Sequence, residues 1–72
     1  MTWAEAGGPP LSPRERQCMD LLCAGHRLKS IAAELGLALV TVDMHLKNAR
    51  HKLGAQTRDQ AVALYLRQSA PR

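Results

Sequence analysis

From Leu11 onward, apolar residues recur at helical spacing in four blocks, and a glycine closes each of the first three. Cys18, Met19, Leu22 and Cys23 form the first stripe, with Leu21 beside it. Ser12-Pro13-Arg14-Glu15 opens it with a capping serine, a proline at the first helical position and a glutamate able to reach back to the cap. Gly25 can take the left-handed conformation that ends such a helix. Leu28, Ile31, Ala32 and Leu35 share one face and predict a second helix over 28–35, stopped by Gly36. A third helix is predicted from near Leu39 to Leu53, ended by Gly54. Its start is poorly capped, because Ala38 offers no side-chain acceptor. Thr57-Arg58-Asp59-Gln60 reads as another capping box, opening a fourth helix in which Ala61, Leu64, Tyr65 and Leu66 form a packing face. Before all this, residues 1–10 carry Gly7, Gly8, Pro9, Pro10 and an isolated Trp3 without any period, the pattern of a flexible leader or linker. Residues 69–72 form a short tail, which leaves one folded domain over 11–68.

Composition agrees with an all-α domain. The chain has 72 residues, 46% hydrophobic but only 3% aromatic and without phenylalanine, which suits short packed helices better than a sandwich or barrel. So small a domain has little room for a deep catalytic pocket. Its longest apolar run, Leu35 to Val42, is broken by Gly36 and Thr41 and is far shorter than the roughly 20 residues of a membrane span. No signal peptide is visible. Cys18 and Cys23 lie on one predicted helix, where their side chains diverge too far for a relaxed disulfide, and a reducing cytoplasm is the expected setting.

Two short helices joined by Gly36 and an apolar Leu37, the second longer and basic, suggest a helix-turn-helix. Charge sharpens the picture. Residues 1–25 carry Arg14 and Arg16 against three acids, whereas residues 26–58 carry Arg27, Lys29, Lys47, Arg50, Lys52 and Arg58 against Glu34 and Asp43 only. A basic middle in a chain of net charge +4 fits a nucleic-acid partner. At 100° per residue, Val42, Leu46, Ala49 and Leu53 fall within about 40° of one line and predict the buried stripe of the third helix. Val40, Asp43, Met44, Lys47 and His51 lie opposite, on the face a major groove would receive. His45, Asn48 and Lys52 fall on one flank and Arg50 on the other. The cations and imidazoles His45, Arg50, His51 and Lys52 are expected at phosphates, which fix register without reading sequence. Val40 and Met44 are apolar in a polar face, and thymine methyl groups would give them a partner.

Leu11-Ser12-Pro13-Arg14-Glu15-Arg16, Lys29-Ser30-Ile31-Ala32, Leu35-Gly36-Leu37, Thr41-Val42-Asp43-Met44-His45 and Lys52-Leu53-Gly54-Ala55 together resemble the DNA-binding domain of LuxR-type (GerE-like) transcription regulators. The resemblance covers roughly Leu11 to Arg67. It implies four helices, with the third in the major groove and the fourth used for dimerisation on two half-sites. Carried over residue by residue, it implies base contacts from Asp43, Met44 and Lys47 and backbone contacts from Lys29, Thr41, Lys52 and Arg58. Leu46, Asn48 and Ala49 resemble the quorum-sensing branch.

The chain also departs from the family pattern. Position 43 is frequently lysine in the family. An aspartate there meets the negative field of DNA unless it accepts from cytosine N4, and it can pair with Lys47 one turn on. Ala38-Leu39-Val40 stand where relatives are commonly polar. These departures predict weaker non-specific binding and a different base preference, and Asp43→Lys is expected to raise general DNA affinity.

The expected partners are duplex DNA and a second copy, weakly paired through Ala61, Leu64, Tyr65 and Leu66 of the fourth helix, residues that could equally close the monomer core, with RNA polymerase as a further candidate and no membrane. Residence is expected in the bacterial cytoplasm with the nucleoid. Either the chain is the output half of a larger regulator, with residues 1–10 as linker, or it is a short regulator in itself. No cofactor or metal is expected, since Cys18, Cys23 and His26 match no common zinc spacing and lack a fourth ligand. Catalysis by Ser30 with a histidine has no supporting motif. The alternative from another class is a protein-binding antagonist that offers Leu39, Val40 and Met44 to a partner and pairs with a full-length regulator instead of DNA.

Overall fold

The structure, a computed structural model, describes residues 11–69. The leader expected over 1–10 and the end of the tail, 70–72, lie outside the described residues. Four helices run in chain order: α1 (Pro13–Cys23), α2 (Leu28–Leu35), α3 (Leu39–Leu53) and α4 (Arg58–Ser69), with no strand among the described residues. The all-α reading holds, and α4 runs one residue past the boundary expected at 68.

The chain starts and stops these helices by local chemistry. Ser12, in an extended conformation, accepts from Glu15 N at 3.2 Å, while its own N donates to Glu15 Oε1 at 2.9 Å, so two otherwise orphan donors are satisfied reciprocally. At the other end Gly25, at φ +99, lets Gly25 N donate to Leu22 O and His26 N to Leu21 O, both at 3.0 Å. That pair closes the helix in a Schellman turn. Gly36 (φ +64) and Gly54 (φ +75) end α2 and α3 in the same left-handed region, where a Cβ would be strained. As expected, α3 has no side-chain cap at Ala38. The opening of α4 differs from the predicted box in one respect. Gln60 N donates to Thr57 Oγ1 at 3.1 Å, but the Gln60 amide reaches past Thr57 and accepts from Gln56 N at 2.7 Å.

The four stripes meet in one core. Cys18 and Met19 from α1, Ile31 from α2, Val42, Leu46, Ala49 and Leu53 from α3, and Ala61 and Tyr65 from α4 are all buried, closed by Leu11 and Ala55 from the connecting segments. Enclosing a side chain such as Ile31 or Val42, each at 0% exposure, contributes about 1.5–3 kcal/mol. α3 packs on all three other helices, whereas α2 and α4 do not meet. The central helix is therefore held from behind along its length while its remaining face stays open.

Two polar ties lock this arrangement. Tyr65 donates its hydroxyl to Asp20 Oδ1 at 2.6 Å, joining α4 to α1. Burial, helped by that bond, pushes the phenol up to about 12. Lys52 Nζ meets Glu15 Oε1 at 2.8 Å, joining the end of α3 to the start of α1. Burial alone would raise the Glu15 carboxyl, but the hydrogen bond and charge of Lys52, with the donors of Ser12, outweigh it and hold it below the ordinary glutamate value.

Of the two roles open to the apolar residues of α4, closing the monomer core is the one the structure gives to Ala61 and Tyr65. Ala61 and Tyr65 are 1% and 7% exposed and close the monomer's own core, and Leu64 packs half-buried against it. A side chain already enclosed by its own domain has no surface to offer a second copy. Beyond the first turn of α4, Ala63, Leu66 and Arg67 are the exposed positions among the described residues, and Leu66 is 49% exposed.

Candidate nucleic-acid interface

α2, the turn at Gly36-Leu37-Ala38 and α3 form a helix-turn-helix, with Leu37 half-buried against the core as the anchor of the turn. Leu37 N donates to Ala32 O at 2.9 Å across Gly36, which fixes the direction in which α3 leaves. Because Val42, Leu46, Ala49 and Leu53 are all drawn inward, the opposite strip of α3 must face out. Val40 is 74% and Met44 50% exposed, and the Lys47 side chain is 65% exposed. Leu39, at 45%, extends this apolar edge to the first turn. Asn48 and His51 are exposed on the same helix, and Thr41 and His45 are half-buried beside it.

The expected base-reading residues thus share one strip of α3, with Val40, Met44 and Lys47 exposed and Asp43 half-buried at its edge. The phosphate candidates divide. Lys29 is exposed on α2 and Arg58 exposed at the first position of α4. Lys52 is held by Glu15 and keeps 29% of its side chain exposed. Arg50 is half-buried and donates from Nη1 to the carbonyls of Ala55 and Gln56, both at 3.2 Å, bracing the turn into α4. Its other nitrogen, Nη2, lies 3.3 Å from His51 Nε2. Lys52 and Arg50 therefore have structural partners in the fold, Lys47 and Arg58 are exposed on either side of Asp43, and Lys29 projects from the surface.

One relationship was not legible in the local pattern. Asp43 Oδ2 lies 3.8 Å from Lys47 Nζ, the pair expected one turn apart, and Asp43 Oδ1 lies 4.0 Å from Arg58 Nη2 of α4. These three residues border a cleft of about 400 Å³ among α1, α3 and α4 that also touches Arg50, Thr57 and Asp59.

Other chemistry is thin. Among the described residues no group of three or more His, Cys, Asp or Glu could hold a metal ion. Cys18 and Cys23 are free thiols pushed up by burial, away from the nucleophilic thiolate. Ser30 Oγ does lie 2.7 Å from His26 Nδ1. The two face each other across the entry to α2, and among the described residues no carboxylate hydrogen-bonds that imidazole to orient it.

A basic, outward-facing second helix on a compact helical support defines a helix-turn-helix DNA-binding domain. Residues 9–65 match the family described as bacterial regulatory proteins, luxR family, and the chain belongs to that family. It is 44% identical over 59 residues to the spore germination protein GerE of Bacillus subtilis, covering 82% of this chain and 80% of that protein. It is 45% identical over 53 residues to the transcriptional regulatory protein MctR of Rhizobium johnstonii, covering 74% of this chain but 25% of MctR. Among solved structures, the Vibrio cholerae VqmA dimer, described as bearing on the DNA-binding mechanisms of LuxR-type receptors, superposes with a TM-score of 0.80 at 32% identity. That match covers 83% of this chain and 27% of the VqmA chain. The chain thus spans most of GerE and about a quarter of the other two.

Proposed function

We propose that this domain binds duplex DNA sequence-specifically as the output element of a transcription regulator, without catalysis. α3 lies in the major groove, and two copies pair weakly on two half-sites through the outer side of α4. The observation that carries this reading is the strip Val40, Asp43, Met44 and Lys47, held outward on a helix whose opposite face is packed against α1, α2 and α4. Val40 and Met44 suit thymine methyl groups, and Lys47 suits guanine O6 and N7. Lys29 and Arg58, with Thr41, His45 and His51 nearer the groove, supply phosphate contacts. Arg50 and Lys52 act chiefly by keeping α3 rigid. Residence in the cytoplasm, a contact with RNA polymerase and a link to quorum sensing belong to the same reading.

Fluorescence anisotropy against mixed-sequence duplexes at several salt concentrations tests it. Binding should fall steeply between about 50 and 200 mM salt, with a log–log slope of about −0.9 for each phosphate neutralised. No binding even at low salt would overturn it. The exposure of Leu39, Val40 and Met44 favours a second reading, in which the same strip docks on another regulator as an antagonist. Tight pairing with such a protein, without any shift of DNA, would establish that reading in place of the first.

A further inference from the structure

Asp43 stands half-buried at the edge of the exposed strip nearest α4, where a carboxylate facing phosphates should be repelled. The structure gives it company. Lys47 Nζ and Arg58 Nη2 flank its two oxygens at 3.8 and 4.0 Å, so the acid enters any groove inside a group of net positive charge. Both separations are longer than a hydrogen bond, so the lone pairs of Asp43 are neutralised but remain available to another donor. Lys47 likewise keeps its donors while 65% exposed.

We propose, resting on the DNA-binding reading above, that Asp43 and Lys47 act as one unit that reads a single C·G base pair, cytosine at Asp43 and guanine at Lys47. The protein offers an acceptor and a donor 3.8 Å apart. A C·G pair offers the complementary donor and acceptor, cytosine N4 and guanine O6, about 3 Å apart because they are hydrogen-bonded to each other. An A·T pair also places a donor beside an acceptor, adenine N6 and thymine O4, but its outer neighbours are wrong. Adenine N7 would face the second oxygen of Asp43, acceptor against acceptor, and the thymine methyl would face Lys47. In the C·G pair the outer neighbour at Asp43 is a C–H, and the one at Lys47 is guanine N7, a second acceptor for the ammonium. Reversing either pair sets Asp43 against guanine or thymine acceptors. Arg58, from α4, remains beside Asp43 as counter-charge when Lys47 turns to the guanine.

The test is selection of duplexes from a random library by the full chain, by Asp43→Asn and by Asp43→Ala, followed by anisotropy on the selected half-site. The side chain at position 43 is 43% exposed, so neither variant should alter the circular dichroism or the melting of the domain. The wild-type protein should require C·G at one position and lose about tenfold in affinity when it becomes A·T. Asp43→Asn should shift that position toward A·T, since an amide pairs with adenine N6 and N7, and Asp43→Ala should lose the discrimination there. Wild-type and variant proteins that select the same base at every position would overturn the inference and leave the DNA-binding function standing. A wild-type protein that binds nothing while Asp43→Asn binds would also overturn it, because the carboxylate would then exclude DNA rather than read it. Failure of all three proteins on every duplex would overturn both readings.

Discussion

α3 carries two ion pairs to other helices, and they differ in everything but formal charge. At its C-terminal end Lys52 meets Glu15 at 2.8 Å, with the glutamate side chain 6% exposed and also closing the α1 cap. In its first half Asp43 meets Arg58 at 4.0 Å and Lys47 at 3.8 Å, with the acid half-buried and both cations more than half exposed. The first is a hydrogen-bonded charge pair whose carboxylate has no water to fall back on, so losing a partner strands the other. The second is screened, long and easily exchanged. One brace positions the helix, while the other leaves its charges available to a ligand. Similar residue chemistry braces the fold in one place and, in the function proposed, serves recognition in the other, according to burial and distance.

The largest effect should come from the buried pair. Glu15→Ala removes both the cap and the partner of Lys52 and should lower stability by about 2–3 kcal/mol, a fall in Tm of about 10 °C or more by thermal melting. Glu15→Gln keeps an acceptor for the cap and should lose about half as much. An equal loss in the two variants would mean that the charge, and not the cap, dominates.

The same pair predicts a response to acid. The folded carboxyl of Glu15 lies below its unfolded value, so its contribution is complete above the ordinary glutamate range and disappears as pH falls through the lowered folded value. The gap in stability between wild type and Glu15→Gln should therefore narrow as pH falls below the ordinary glutamate range and close once pH has passed the lowered folded value. A gap that persisted would locate the loss in the cap geometry.

Tyr65→Phe should be milder, about 1 kcal/mol, because it deletes one hydroxyl bond and leaves the ring in place. The phenol is pushed up to about 12, so the folded state holds its proton where the unfolded chain releases it. Its stabilisation is whole below the unfolded value of about 10 and is lost as pH rises toward 12. Denaturant titrations across that window should show the wild-type protein losing stability faster than Tyr65→Phe.

Asp43→Lys should change stability least, within about 0.5 kcal/mol, while raising affinity for mixed-sequence DNA. A large drop in Tm would show that the exposed pair is a structural brace after all and would erase the contrast between the two regions.

The helix boundaries were legible because their causes are local. Ser12 with Glu15, the glycines at 25, 36 and 54, and the inward stripe of α3 act within one or two turns, so sequence order carries them. The outer strip followed as the complement of that stripe. The fourth helix was legible only as a helix. Ala61 and Tyr65 fit a packing face, but periodicity cannot say whether such a face closes a monomer or joins two. Gln60 lies at the right spacing for a reciprocal cap and still bonds one residue earlier, at Gln56 N.

The sequence by itself determined four helices, their ends, the buried line of α3 and the positions that line turns outward, since caps and 3.6-residue periodicity need only neighbours along the chain. Only the tertiary structure decided that Lys52 braces Glu15, that Tyr65 ties α4 to Asp20, and that Arg58 joins Lys47 around Asp43. Those partners lie on different helices, and nothing short of packing α1 and α4 against α3 brings their charges within reach.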